Sequence, residues 1–132
     1  MKRVVGVGGI FFKSPDPKRL QAWYRDHLGL DVAEWGGVSF GLDEQLKTNP
    51  NAALVWSPFA HDTQYFAPSN STFMVNYRVE DLHAVIAALR SEGCEVMEKV
   101  EESEYGKFGW VVDPDGNKIE LWEPPAAKPA HG

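Results

Sequence analysis

Residues 118–123, KIELWE, set a carboxylate, Glu120, between two apolar side chains, Ile119 and Leu121. A strand that packs a core seldom carries a charge in mid-run unless that charge has a partner or a task. Three roles fit a glutamate there: a metal ligand, an acid–base group, or half of an ion pair with Arg78 or Lys118. A carboxyl without a partner in an apolar cup would keep its proton to higher pH and could exchange it near neutrality. A second candidate lies in the loop PFAHDTQYFAPSNS, 58–71, where His61 and Asp62 stand among aromatics. Such a loop can fold over a cup as a lid. His61 would then be a general acid–base group or a ligand from an unusual place; the alternative is an exposed loop or a contact between chains. The other candidates read as structural. His27 belongs to the inner stripe of a helix, His83 to a solvated first turn and His131 to the tail, and Cys94 after a helix-ending glycine reads as inert.

Strand alternation decides what accompanies Glu120. Lys118, Glu120 and Trp122 share one face, and Ile119 and Leu121 take the other, under helices. In STFMVNYRV, 71–79, Met74, Asn76 and Arg78 alternate with Val75, Tyr77 and Val79, and the polar set matches the face of Glu120. Phe108 and Trp110 add aromatic walls, with Tyr105 near the rim. Trp56 and Leu54 face in from an earlier strand. The candidate ligand-binding residues are therefore Trp56, Asn76, Arg78, Trp110 and Trp122. The aromatics either line a cavity or fill the sheet. A lined cavity of this kind suits a flat, aromatic or cationic small molecule.

The elements that position these groups come in two rounds. VVGVGGIFFK, 4–13, reads as a strand. In SPDPKRLQAWYRDHLGL, 14–30, Asp16 caps a helix, Pro17 suits its first position and Gly29 ends it. Strand-like runs follow at about 31–35, 37–42 and 51–57. Then STFMVNYRV reads as a strand, and EDLHAVIAALRSEG as a capped helix with Leu82, Val85, Ile86 and Leu89 on one face. Strand-like runs at about 95–99, 106–112 and 117–123 complete the second round. Residues 14–32 align without a gap on 78–96, Gly29 meeting Gly93, and ALVWSP, 53–58, matches IELWEP, 119–124. In that match Leu54 stands where Glu120 does. A two-copy internal repeat points to a pseudo-symmetric pair rather than a solenoid.

The chain of 132 residues fits one domain, 1–124, with modules at about 4–57 and 72–123 and a flexible tail, 125–132. Its net charge of -6, without a basic run, argues against nucleic-acid and membrane-surface partners. One cysteine excludes an internal disulfide and suits a reducing cytoplasm. No stretch is long and apolar enough to read as a spanning helix.

The stretches DPKRLQAWYRDHLGL, VEDLHAVIAALRSEG and DPDGNKIELWEP together resemble the vicinal oxygen chelate superfamily, which includes glyoxalase I, bleomycin-resistance proteins and extradiol dioxygenases. The resemblance runs from about Val4 to about Pro124. It implies an α+β fold of two βαβββ modules, with cupped mixed sheets backed by helices, a site in the concavity and a homodimer. In metal-using members four ligands come from equivalent strands, and Glu120 matches one of them. The other positions hold Gly9 or Ile10, Leu54, and Met74 or Phe73, none of which is a His, Glu, Gln or Asp. The expectation is accordingly no cofactor, with Glu120 a metal ligand only if a divalent ion is bound. The leading reading is a metal-independent small-molecule binder in the bleomycin-resistance style. The alternatives are a glyoxalase-like lyase, isomerase or dioxygenase with a non-standard site at Glu120 and His61, and an interaction domain with a filled cup.

Overall fold

The computed structural model describes residues 1–126. The expected tail from 125 onward, His131 included, falls almost wholly outside the described residues. The elements in chain order are α1 (Pro17–Leu28), α2 (Leu42–Thr48), β1 (Asn76–Arg78), α3 (Leu82–Ser91), β2 (Glu95–Val96), β3 (Glu101–Ser103), β4 (Gly106–Val112) and β5 (Lys118–Glu123).

Both long helices start and stop on local chemistry. The Asp16 carboxylate accepts from Arg19 N–H at 3.2 Å, Pro17 opens α1, and left-handed Gly29 closes it at φ 69°. Asp81 accepts from Ala84 N–H at 3.1 Å to open α3, and Gly93 lies just beyond its end at φ 79°. Satisfying orphan N–H groups in this way stabilises a helix by about 1 kcal/mol per cap.

The sheet belongs to the second half of the chain. Its order is β1-β5-β4-β2, with β3 also pairing with β4. β1 runs parallel to β5, and the other pairs are antiparallel. Leu82, Ile86 and Leu89 of α3 pack with Leu20 and Tyr24 of α1 on Val111, Ile119 and Leu121 of the sheet. Each such side chain contributes about 1.5–3 kcal/mol on burial. Gly109 lets α3 come close, for a Cβ there would stand 2.9 Å from Ile86 Cδ1.

The fold is α+β with a mixed sheet, but its first half departs from the expected strands. Among the described residues no strand forms at 4–13, 31–35, 37–42 or 51–57. A strand is completed by a neighbour's backbone, and within one chain these segments have none. Residues 33–37 close a tight turn instead, with Ala33 N–H on the Gly37 carbonyl at 2.9 Å. Residues 42–48 wind into α2, which the sequence reading missed. Its signals are Asp43 and Glu44 in the first turn and Lys47 in the last. The helices of the repeat are present; the first half gives α1 to the sheet of the second half. β3 was also missed, and β1 and β2 are shorter than their expected runs.

Candidate functional site

Register brings Asn76, Glu120 and Trp110 into one row across β1, β5 and β4, and Arg78, Trp122 and Phe108 into the next. Both rows lie on the face opposite α1 and α3. Glu120 is buried there, and both of its oxygens are taken. Oε1 accepts from Asn76 Nδ2 at 2.7 Å; Oε2 accepts from Tyr65 Oη at 2.5 Å and from Trp110 Nε1 at 3.0 Å. The premise of a carboxyl without a partner therefore does not hold.

Tyr65 reaches Glu120 because the loop at 58–71 folds down onto the sheet. Phe59 lies 5.5 Å from the Tyr65 ring and 5.3 Å from that of Phe66, and Tyr65 meets Trp110 edge-on at 6.1 Å. Ser71 Oγ donates to Asn117 Oδ1 at 2.7 Å, and Lys118 Nζ to the Tyr65 carbonyl at 2.7 Å, so the loop is tied to the start of β5. Burial first, and then the hydrogen bond to Glu120, push the Tyr65 phenol pKa up. The loop's contribution to the site is thus Tyr65, which sequence reasoning missed. His61, the residue expected there, is exposed and makes no hydrogen bond to Glu120. Its spacing of four from Tyr65 gave no signal, because an irregular loop has no period.

The expected ion pair of Glu120 with Arg78 or Lys118 is replaced by other contacts. Arg78 Nη2 donates to the Gln45 carbonyl of α2 at 3.3 Å, and Arg78 Nη1 is buried without an acceptor among the described residues. Lys118 Nζ lies 5.3 Å from the ring centroids of both Tyr65 and Trp110, in cation–π range. Desolvation pulls the Lys118 pKa down, and the carboxylates of Glu120 and Glu101 work against it. Trp122 is half-buried; its ring stacks on Phe108 at 6.3 Å and 17°, and its Nε1 donates to the Tyr105 carbonyl at 2.8 Å. Trp56 stands apart from this group. It is 80% exposed and borders a hollow of ≈ 640 Å³ with residues 4–7, Leu42 and Leu54.

The donor set does not fit the metal site of metal-using relatives. Glu120 spends its oxygens on three donors, and Gly9, Leu54 and Met74 supply no imidazole, carboxylate or amide ligand. Cys94 is half-buried, and desolvation and then the Glu92 carboxylate push its thiol pKa up, which disfavours a nucleophilic role.

Comparison with known proteins agrees with the architecture. The family profile described as glyoxalase-like domain matches residues 9–122. A solved protein of unknown function from Agrobacterium tumefaciens str. C58 is 20% identical, with TM-score 0.52 over 90% of this chain and 98% of its own. TnmS3, an antibiotic binding protein from Streptomyces sp. CB03234, is 20% identical, with TM-score 0.51 over 83% of this chain and 88% of its own. A chain described as a conserved domain protein aligns over 40% of this chain and 47% of its own length, at 18% identity and TM-score 0.37. At such identities the likeness is one of fold. No curated protein matches the sequence. Among the described residues no helix is long and apolar enough to cross a membrane. With the profile spanning most of its length and the second-half sheet built as described, the chain belongs to the glyoxalase-like domain family of the vicinal oxygen chelate superfamily.

Proposed function

We propose that the protein binds a small, flat, partly aromatic or cationic molecule on the face around Glu120 and Trp122, without a metal ion. The observation that carries this reading is the use of both Glu120 oxygens by Tyr65, Asn76 and Trp110, beside a stacked and half-buried Phe108–Trp122 pair. Three neutral donors fix the orientation of the Glu120 carboxyl group, and the ring pair offers a flat surface. Arg78 Nη1 adds a charged donor for a ligand oxygen. The antibiotic-binding neighbour of the same fold is consistent with a small-molecule ligand.

The reading includes a homodimer. Val4, Phe11 and Trp56 are 80%, 94% and 80% exposed in the single chain, and a second copy would cover such apolar surface. Trp56 would enter a cup only in that assembly.

Tryptophan fluorescence titration with aromatic amines and cationic antibiotics tests the site, run with and without a chelator. The expected result is saturable binding indifferent to chelator and weakened at least about tenfold by Trp122→Ala. Binding that appears only after a divalent ion is added would overturn the metal-independent reading. Light scattering over a dilution series tests the dimer, and a monomer at all concentrations removes it.

A further inference from the structure

The helix side of the sheet carries a second group of chemically capable side chains, remote in role from the Glu120 face. His27, Glu92 and Cys94 present ligand atoms that all lie within 4.8 Å of one another. His27 comes from the last turn of α1, Glu92 is the C-cap of α3, and Cys94 follows two residues later. Gly93 between them has φ 79°, a conformation that reverses the chain and suits glycine. That reversal sets the Glu92 and Cys94 side chains beside each other, and α1 delivers His27 from the other side.

We propose that His27, Glu92 and Cys94 form a site for a zinc-class divalent ion, which clips the end of α1 to the end of α3. The argument rests on geometry, on ligand type and on helix polarity. A tetrahedral zinc bound by S, N and O spaces its ligands roughly 3.3–3.7 Å apart, from bond lengths of about 2.0–2.3 Å. His27 Nδ1 and Glu92 Oε1 stand at 2.8 Å, so they need to separate by about half an ångström, while the remaining spacings contract from at most 4.8 Å. Both partners have room for this, with side chains 25% and 41% exposed. The ligand set is a thiolate, an imidazole and a carboxylate, which selects zinc-like ions over magnesium or calcium. One thiolate and one carboxylate balance the charge of the ion. Two helices also end here, and their C-terminal carbonyls favour a cation. The fourth position is left to water or an added ligand. Trp23, 5.5 Å from the His27 ring, restricts how that ring turns.

The site differs from the metal position of the superfamily in every residue and lies on the other side of the sheet. Its role is to fasten α1, the contribution of the first half, to the second half.

Cobalt(II) titration of metal-free protein tests the proposal directly, because a bound thiolate gives a near-ultraviolet sulfur-to-cobalt charge-transfer band. The expected result is one equivalent of cobalt with that band, displaced by zinc, and a rise in melting temperature with zinc. Cys94→Ser should abolish the band. His27→Gln should keep the band and weaken binding by more than the about 10–100-fold that loss of an outer partner costs. Absence of the band in the unaltered protein overturns the proposal, whatever the variants do. So does zinc binding that both variants leave unchanged, which would make the His27–Glu92 contact a plain ion pair.

Discussion

Asp113 closes the turn before β5 with all of its acceptor capacity. Oδ1 accepts from the backbone N–H of Asp115 and of Asn117, each at 2.9 Å; Oδ2 accepts from Asn117 Nδ2 at 3.1 Å and from Tyr24 Oη at 2.8 Å. Arg19 adds a bond from Nη2 to the Pro114 carbonyl at 3.0 Å. The turn is therefore also the docking point of α1. Tyr24→Phe removes one donor from a buried carboxylate and should cost about 1.5–3 kcal/mol in urea unfolding, with the fold kept. A loss within about 0.5 kcal/mol would mean that the bond contributes nothing. The same scale shows what the residues told in advance. Alternation along KIELWE put Glu120 opposite Ile119 and Leu121, because a strand's faces follow from its own sequence. The donors to Glu120 divide differently. Asn76 and Trp110 stand on neighbouring strands, whereas Tyr65 arrives through a loop whose path depends on Phe59, Phe66 and Lys118 together. No local pattern encodes that.

At the scale of elements, the hairpin between β3 and β4 turns on Gly106, with φ 115°, where an added Cβ would meet the Glu123 carbonyl and stand 2.8 Å from Trp122 Nε1. Gly116 has φ 82°, with nothing within 4 Å of its Cβ position. The pair separates backbone strain from collision. Gly116→Ala should cost about 1–2 kcal/mol, and Gly106→Ala at least about 2 kcal/mol more. Equal losses in parallel denaturant titrations would show that the collision relaxes away. The helices α1 and α3 were legible because caps and apolar stripes are local signals. So were β4 and β5, each a sustained run beside a strong turn. The first-half runs have the composition of strands, yet composition does not supply a partner, and in one chain 4–13 and 51–57 stay unpaired. α2 escaped notice because Leu42 and Leu46, its apolar pair, are both exposed and point to no core.

For the molecule as a whole, the core tyrosines set the alkaline limit. Burial is the main cause that holds Tyr24 and Tyr77 above the ordinary phenol pKa of 10.0, and Asp113 adds to it in both. A phenol raised on folding contributes stability that is complete below about pH 10 and is lost as pH climbs through its folded value. Lys118, lowered by desolvation, acts in the opposite sense at pH values below 10.5, but it is one group and partly exposed. Above about pH 10 the unfolding free energy should therefore fall, by up to about 1.4 kcal/mol per pH unit for each tyrosine involved. Tyr24→Phe should fall less steeply. A profile that stays flat to the pH of base hydrolysis would sink this account. Tyr24 and Asp113 also lie 89 residues apart, and that distance orders events during synthesis. Helix α1 leaves the ribosome well before the turn on which it lands has been made. At about 5–20 residues per second, Leu20 and Tyr24 wait on the order of ten seconds with their apolar faces in water, within reach of chaperones. The segment from Leu82 to Glu123 can meanwhile assemble from contacts close in sequence. Docking of α1 then follows the assembly of that segment, and a pause in synthesis before β5 is made would strand it.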